Sequence, residues 1–303
     1  MRVGVWGAGS LGSAMVYRLA TATFVSELVW INRTLTNIES RCVDIEHGLA
    51  FAPCCRSVVA CSQVRANAVL TGIELLVLTP GGAVPPGGSR ADLYPANARM
   101  FRETVLPALR SFSGVVIVIT NPVDLMARLV AVETPLPATR VLGLGTVVET
   151  ARLRASLGGY LRSNPPARTL SAFAIGTHDE WFVPVLPPEW LLGEQMTDAE
   201  LAGIRDAVRR EVVGGAARVK QGQASTIHPI VEGMLSVAEA VAGDSHSVLT
   251  VSTLDPEDPD RLFYSVPCRI GREGVVHRDR ELATRDPIRS ELREGQERMR
   301  RQI

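Results

Sequence analysis

The sequence predicts an α/β protein in which a doubly wound parallel sheet is followed by a mixed α+β domain. The first observation is a series of short, continuous apolar runs in the first half of the chain, which is typical of parallel strands buried on both faces. The second is that apolar residues at helical spacing separate these runs. The third is a change of pattern after residue 143, where paired strands and longer polar helices follow. We therefore predict one domain over residues 1–143 and another over residues 144–303.

The first domain begins with a strand, a tight turn, a helix and a second strand, as parallel strands require a crossover between them. The predicted strands of this domain are residues 3–6, 28–31, 57–61, 74–79 and 115–120, and the longest intervening helix is predicted over 93–111. The second domain is predicted to contain helices at 149–157, 198–213 and 226–242, a hairpin within 169–186, strands at 247–253 and 262–271, and a final Arg/Glu-rich amphipathic helix.

The composition excludes several classes of protein. The 303 residues include 32 basic and 32 acidic side chains, so the formal net charge is zero and a nucleic-acid or anionic-membrane surface is not expected. No apolar stretch is long enough to span a bilayer, and the N-terminus has no secretory signal pattern. The five cysteines contain no C-x-x-C motif, which favours reduced thiols in a cytoplasmic protein.

The glycine-rich turn after the first strand carries the first functional signal. Gly7, Gly9 and Gly12 fit the pattern G-x-G-x-x-G, which permits a tight turn and lets the backbone approach a pyrophosphate. The backbone around Ser10 and Leu11 would then offer free N–H groups at the start of a helix. We therefore predict a dinucleotide-binding domain over residues 1–143. The alternative is a tight strand–helix turn without a ligand.

The end of the second strand indicates which dinucleotide is bound. A carboxylate at this place would bond the ribose hydroxyls and repel a 2′-phosphate, but Asn32 stands there. Arg33 can pair with a phosphate, and Thr34 can donate a hydroxyl hydrogen bond. We therefore predict NADP(H) as the cofactor, rather than NAD. The alternative is that Arg33 is a solvated loop residue and that Thr34 caps the next helix.

Three later segments, together with "GAGSLG", resemble the lactate/malate dehydrogenase family of L-2-hydroxyacid dehydrogenases. They are "TNPVD" (120–124), "GLGTVVETARLR" (143–154) and "GTHDEWFVPV" (176–185). The resemblance extends over nearly the whole chain through "VDIEHG" (43–48), "SRADL" (89–93) and "SVPCRIGREGV" (265–275). It implies a Rossmann domain with further cofactor contacts at Thr79, Pro80 and Gly81, and a small-molecule 2-oxo or 2-hydroxy acid as the partner. It also implies a homodimer or homotetramer whose dimer interface includes a helix over 36–48; the alternative is that this helix only packs on its own domain.

The resemblance assigns the chemistry of 2-oxo acid reduction to four residues. His178 would be the acid/base, and Glu149 would orient it, although the family usually has the shorter aspartate at that place. Arg152 would clamp the substrate carboxylate with two parallel bonds. Arg90, in a Gly/Pro-rich loop, would polarise the carbonyl when the loop closes. The histidine and the two arginines each have a structural alternative: a structural histidine, a surface helix arginine and a loop-end arginine beside a helix cap.

The remaining predicted contacts concern substrate shape. Asn121 would bond the substrate oxygen or the nicotinamide ribose, or it is simply part of an Asn-Pro turn. Val84 and Thr226 would line the far end of the substrate, where a carboxylate would be buried without a partner. The resemblance therefore implies a 2-oxo acid with a neutral or apolar side chain. His228 is the one residue that could change this expectation, because it would either accept an anionic substrate tail or simply pack against its helix.

Three other functions remain open from the sequence. The protein could be a malate dehydrogenase acting on oxaloacetate, or a catalytically impaired cofactor-binding homologue, although His178, Arg152 and Arg90 are retained. The distantly related NAD- and metal-dependent glycosidases also begin with a Rossmann unit. The short chain and the lack of an obvious Cys/His metal pair count against them, and no metal site is expected.

Overall fold

A computed structural model describes residues 1–51, 57–82, 84, 88–89, 91–159, 161, 170–179, 181–187, 197–222, 226–284 and 288–303. The strands are β1 (Arg2–Trp6), β2 (Glu27–Asn32), β3 (Val58–Ser62), β4 (Leu75–Leu78), β5 (Val115–Val118), β6 (Val141–Gly143), β7 (Phe173–Ile175), β8 (Val183–Val185), β9 (Ser247–Leu249), β10 (Ser252–Leu254), β11 (Phe263–Ser265), β12 (Cys268–Gly271) and β13 (Gly274–Arg278).

The first nine α-helices of the described ranges occupy connections between these strands, and the last two follow β13. In chain order, the helices are α1 (Ser10–Ala20), α2 (Thr36–Leu49), α3 (Ala66–Leu70), α4 (Tyr94–Met100), α5 (Leu106–Ala108), α6 (Val123–Glu133), α7 (Val147–Ser156), α8 (Asp198–Gly222), α9 (His228–Gly243), α10 (Glu281–Thr284) and α11 (Ile288–Arg300). No helix in the described ranges is long and apolar enough to cross a membrane. The long helix predicted over 93–111 is present, with a π-helical turn at Phe101–Val105 between α4 and α5.

The main sheet has eight strands in the order β11-β10-β6-β5-β4-β1-β2-β3. The six strands from β6 to β3 are parallel, and their apolar side chains pack against helices on both faces. This explains why these strands appear in the sequence as continuous apolar runs rather than alternating ones. The order of the six parallel strands is that of a doubly wound dinucleotide-binding sheet, so the predicted fold class is confirmed.

Two strands predicted in the second half are each divided in the structure. The predicted strand over 247–253 becomes β9 and β10, and the one over 262–271 becomes β11 and β12. In each case the first and second parts belong to different sheets. Pro267 separates β11 from β12, since proline lacks the N–H that a central strand needs. Thr250 separates β9 from β10, and its hydroxyl oxygen lies 2.8 Å from the hydroxyl oxygen of Thr150 on α7.

The main sheet continues across residue 143. β10 is antiparallel to β6, with Ser252 opposite Gly143, and β11 continues the sheet beyond β10. Gly176, just after β7, exchanges two backbone hydrogen bonds with Ser265 of β11. The second half of the chain is therefore joined to the first through a shared sheet, while the division at residue 143 remains a prediction.

The hairpin predicted within 169–186 is formed by β7 and β8, which pair antiparallel; residue 169 lies outside the described residues. Three of the cysteines, Cys42, Cys61 and Cys268, are buried free thiols. Burial raises the pKa of Cys42 and of Cys268 to about 11, which keeps both thiols protonated at neutral pH. Cys54 and Cys55 lie outside the described residues.

Candidate functional site

A cleft of about 600 Å³ lies at the carboxyl ends of β1 and β4. These two strands are neighbours in the sheet, but the chain leaves them in opposite directions, towards β2 and towards β5. Open α/β sheets bind ligands in the crevice outside the carboxyl ends of the strands at such a switch point. The cleft is lined by residues of the glycine turn and of the segments after β2 and β4, among them Gly7, Gly9, Asn32, Arg33, Thr34, Thr79, Pro80 and Gly81.

The glycine turn has the backbone geometry that the sequence pattern predicts. Gly7 has a φ of +120°, and a side chain there would collide with the hydroxyl of Thr79. A side chain at Gly12 would collide with the carbonyl oxygen of Gly7. A side chain at Gly9 would meet no described protein atom, because Gly9 faces the open cleft. The space in front of Gly9 is therefore available to a ligand that approaches the backbone closely.

The start of α1 faces the same space. Gly9 is the N-cap of α1 and supplies no side-chain hydrogen bond to the first turn, which contains Ser10 and Leu11. The first N–H groups of a helix lack partners within the helix and favour negative charge. A phosphate group therefore fits this end of α1.

The loop after β2 presents a cation to the cleft. The side chain of Asn32 donates to the carbonyl oxygen of Thr34 at 3.0 Å, which folds the loop on itself. The N-cap of α2 is Leu35, without a side-chain hydrogen bond, so Thr34 does not cap this helix. Arg33 is exposed and forms no hydrogen bond or ion pair with the described part of the chain. Its guanidinium is available for a phosphate.

Two residues beside the cleft were not predicted from the sequence. Arg41, on α2, donates to the carbonyl oxygen of Ala8 at 3.0 Å and to the hydroxyl of Ser13 at 2.8 Å. Asn97, on α4, accepts from the N–H of Gly82 at 3.0 Å and donates to the carbonyl oxygen of Asn121 at 2.7 Å. The sequence assigned no cofactor contact to either residue, and the packing of α2 and α4 brings them to the glycine turn and to the Asn-Pro segment.

His178 and Glu149 form the centre of a second cluster. His178 follows β7 and Glu149 lies in the first turn of α7, and the imidazole Nδ1 is 3.0 Å from Glu149 Oε2. Burial alone would raise the pKa of Glu149, but the charge and hydrogen bond of His178, together with Arg152, outweigh it and hold this pKa below its usual value. The longer carboxylate therefore still reaches the imidazole, and its ionised form favours a protonated His178.

Arg152 lies one turn after Glu149 on the same face of α7. Its guanidinium is 3.7 Å from Glu149 Oε1 and 3.4 Å from the hydroxyl of Thr226. Thr226 is buried, just before α9. The arginine is thus anchored on one side by a carboxylate and on the other by a hydroxyl. Arg152 and His178 therefore contact the two oxygens of the same Glu149 carboxylate, which keeps a guanidinium close to the imidazole.

Asn121 follows β5 and lies next to this cluster. It shares a small cavity with His178 and Asp124. Its side-chain oxygen is buried and has no hydrogen-bond partner among the described residues. Leaving a buried acceptor unpaired costs about 1–3 kcal/mol. A hydroxyl-bearing ligand that donates to this oxygen is therefore accommodated here.

Three further residues were predicted from the sequence to approach the substrate: Arg90, Val84 and His228. Arg90 lies outside the described residues, so the predicted polarising contact is not located. Val84 is 42% exposed and lies in the segment after β4. His228 is the first residue of α9 and is exposed, which does not match the alternative of a histidine packed against its helix.

The residues after His178 build an anchor of their own. Asp179 accepts hydrogen bonds from the Thr177 hydroxyl at 2.7 Å and from the N–H of Trp181 at 2.8 Å. The guanidinium of Arg298, on α11, lies 3.8 Å from the centre of the Trp181 ring. This cation–π contact fastens the segment after His178 to the C-terminal helix. Over the described ranges, no group of three or more His, Cys, Asp or Glu side chains is placed to hold a metal ion.

Comparison with known proteins supports the sequence resemblance. A family model described as lactate/malate dehydrogenase, NAD binding domain, matches residues 1–143. The L-lactate dehydrogenase of Allorhizobium ampelinum is 30% identical over 289 residues, covering 91% of this chain and 90% of that protein. An L-lactate dehydrogenase of Synechococcus is 31% identical over 294 residues, covering 91% and 90%. The chain belongs to the lactate/malate dehydrogenase family.

Solved structures agree with the fold of this family. A lactate dehydrogenase from a Medee basin deep-sea metagenome has a TM-score of 0.85 and 24% identity, covering 99% of this chain and 97% of that one. The malate dehydrogenase of Cryptosporidium parvum has a TM-score of 0.85 and 20% identity, covering 100% and 97%. Identities this low establish the fold alone. The predicted family, the Rossmann-type fold and the 2-hydroxyacid dehydrogenase class are thereby confirmed.

Proposed function

We propose that this member of the lactate/malate dehydrogenase family reduces a 2-oxo acid with a neutral or apolar side chain to the L-2-hydroxy acid, with NADPH as the cofactor. The observation that supports this most directly is the 3.0 Å contact between His178 and Glu149, with Arg152 3.7 Å from the same carboxylate. A proton donor, its orienting acid and a carboxylate-binding cation then lie together, as reduction of a 2-oxo acid requires.

The proposed mechanism divides the reaction between these groups. A nicotinamide cofactor held in the cleft would supply the hydride for the carbonyl carbon. Arg152 binds the substrate carboxylate and fixes the direction of the carbonyl group. Glu149 accepts from Nδ1 of His178, so the proton on Nε2 faces the substrate and moves to the carbonyl oxygen. Asn121 accepts a hydrogen bond from a hydroxyl of the ligand, and Arg90 is proposed to polarise the carbonyl.

The choice of NADPH is supported by the loop after β2. Asn32 brings no charge that would repel a 2′-phosphate, and the free guanidinium of Arg33 lines the cleft. The pyrophosphate is proposed to bind at the start of α1, against Gly7, Gly9, Ser10, Leu11 and Gly12. Arg41, hydrogen-bonded to the turn itself, adds a positive charge beside them. The proposed cofactor contacts are completed by Thr34, Thr79, Pro80 and Gly81.

The cofactor proposal predicts a preference for NADPH over NADH of about tenfold or more in kcat/KM, since one charge-assisted phosphate contact contributes roughly 1.5–3 kcal/mol. The double variant Asn32→Asp, Arg33→Ala should reverse this preference, because it adds a carboxylate and removes the cation. Steady-state rates with both cofactors measure it. The matched control is Asn67→Asp, Arg65→Ala, which makes the same changes at two exposed positions outside the cleft and should keep the original preference. Equal efficiencies with both cofactors in the unmodified protein would contradict the proposal.

The substrate proposal rests on two side chains that the family resemblance places at the far end of the substrate. Thr226 is buried and neutral, and Val84 provides neither a charge nor a hydrogen bond. A second substrate carboxylate placed between them would lose its hydration without gaining a partner. The similar proteins from Allorhizobium and Synechococcus are named L-lactate dehydrogenases, and the side chain of lactate is uncharged.

This proposal predicts that kcat/KM for 2-oxobutyrate or 2-oxoisocaproate exceeds that for oxaloacetate. Val84→Arg should raise the activity on oxaloacetate, because it supplies a counter-charge for the second carboxylate. The control is Val64→Arg at a valine that is 88% exposed and lies away from the cluster; it should leave the substrate order unchanged. If oxaloacetate is clearly the best substrate of the unmodified protein, the function is that of a malate dehydrogenase instead.

We also propose a homodimer, or a homotetramer built from dimers, with α2 in the dimer interface. Two apolar side chains there support the proposal: Val43 on α2 is 50% exposed, and Phe51, just after the helix, is 93% exposed. Burial of these side chains against a second copy would remove apolar surface from water.

A further inference from the structure

Two buried carboxylates hold His178, and the function proposed above uses only one of them. Glu149 contacts the imidazole ring, as described. Asp124, in the first turn of α6, accepts a hydrogen bond from the backbone N–H of His178 at 2.7 Å. Each acid is only 6% exposed. Burial of a carboxylate is costly unless hydrogen bonds or a nearby positive charge offset the lost hydration, and the hydrogen bond described for Asp124 comes from the main chain of His178.

The backbone contact is one of two that fix the segment bearing His178. Gly176, two residues earlier, is bonded in both directions to Ser265 of β11, at 2.7 and 2.8 Å. Asp124 then fixes the main chain at His178 itself. With the backbone held at Gly176 and at the N–H of His178, the main freedom left to the imidazole is rotation of its side chain, and Glu149 limits that rotation at Nδ1. The direction of Nε2 therefore depends on Asp124 as well as on Glu149.

We propose that Asp124 is a positioning residue of the proposed reaction, which fixes the main chain of His178 and adds a second negative charge beside its imidazolium form. This inference rests on the proposed function of His178. Asp124 does not touch the substrate in this scheme and acts only through His178. Its contribution is to the rate of proton transfer rather than to substrate binding.

The charged surroundings support an electrostatic part of this role. The pKa of Asp124 is raised to about 6, and burial is the largest cause. The hydroxyl of Ser252 and the N–H and charge of His178 lower this pKa, whereas the charge of Asp179 raises it. Glu149 and Arg152 approach from α7, and Arg298 of α11 lines the same small cavity. Asp124 therefore ionises in the range in which a histidine gains its proton, and the two groups stabilise each other's charged forms.

Two variants separate the hydrogen bond from the charge. Asp124→Asn keeps an oxygen that can accept from the His178 N–H but removes the charge. Asp124→Ala removes both. With 2-oxobutyrate and NADPH, we expect Asp124→Ala to lower kcat by about 10- to 100-fold, a part of the usual share of acid–base catalysis, while KM changes by less than about threefold. Asp124→Asn should retain more of the turnover than Asp124→Ala.

The second readout does not depend on turnover. The imidazole titration of His178 is followed by NMR in the unliganded protein, with the signal assigned from its loss in His178→Asn. In Asp124→Asn the midpoint should move to lower pH by about 0.5–1 unit, because a charge that stabilises the imidazolium is gone. The matched control is Asp179→Asn, which removes a carboxylate one residue from His178 that contacts Thr177 and Trp181 instead. Its shift should be clearly smaller.

These outcomes distinguish the inference from the proposed function. An unchanged His178 midpoint in Asp124→Asn, or a shift equal to that of Asp179→Asn, overturns the electrostatic role. A KM increase without loss of kcat in Asp124→Ala overturns the positioning role. Should the unmodified protein reduce none of the 2-oxo acids, the proposed function fails, while the NMR titration still tests the influence of Asp124 on His178. If Asp124→Ala does not fold, the kcat and the His178 titration midpoint of Asp124→Asn decide whether the proposed role of Asp124 is correct.

Discussion

Replacement of His178 by asparagine is expected to lower turnover by roughly 10²- to 10⁴-fold, the usual contribution of a positioned general acid or base. Asparagine retains a polar side chain but cannot deliver a proton at neutral pH. Binding of NADPH, measured by the change in its fluorescence, should stay within about twofold of the unmodified protein, because the cofactor cleft and the His178 cluster are formed by different residues.

The control for this prediction is His246→Asn, at a histidine that is exposed on the loop before β9. It should keep full activity. Near-normal turnover in His178→Asn would mean that another group donates the proton. A loss of both turnover and NADPH binding would indicate instead that the substitution disturbs the fold.

Replacement of Arg152 by lysine is expected to lower kcat/KM by about 10- to 150-fold, as the loss of one charge-assisted hydrogen bond costs roughly 1.5–3 kcal/mol. Lysine keeps the charge but cannot form two parallel bonds to a carboxylate. Its shorter reach also weakens the contacts with Glu149 and Thr226. The main change should therefore be a higher KM for the 2-oxo acid, seen in steady-state kinetics.

Arg210→Lys is the matched control, because it makes the same substitution at an exposed position of α8. It should leave KM unchanged. If Arg152→Lys lowers kcat and leaves KM unaltered, Arg152 acts in the transition state alone and does not bind the ground-state carboxylate.

The sequence predicted the parallel part of the fold well, for a physical reason. Strands buried on both faces must be apolar at successive positions, so β1, β2, β4 and β5 are visible as short runs of apolar residues. The glycine turn was equally clear, since only glycine fits at Gly7 and Gly12 without collision. Both signals are local, and each can be read from a few consecutive residues.

The second half was harder to predict because its strands join partners that are distant in the sequence. Nothing local to residues 247–253 indicates that the segment crosses from one sheet to another at Thr250. For the same reason, the sequence did not reveal Asp124 or Arg41 as members of the site. Asp124 is 54 residues from His178 in the chain, and Arg41 is 33 residues from Ala8.

The pairing of Gly176 with Ser265 makes the His178 segment part of a cooperative unit with the main sheet. Segments that open locally usually have few buried contacts and solvent-exposed backbone bonds, whereas Gly176 and Ser265 are both buried. Exchange of their two amide hydrogens with solvent would therefore require the edge of the sheet itself to open. We therefore expect the His178 segment to lose its order together with this edge of the sheet on heating, rather than ahead of it.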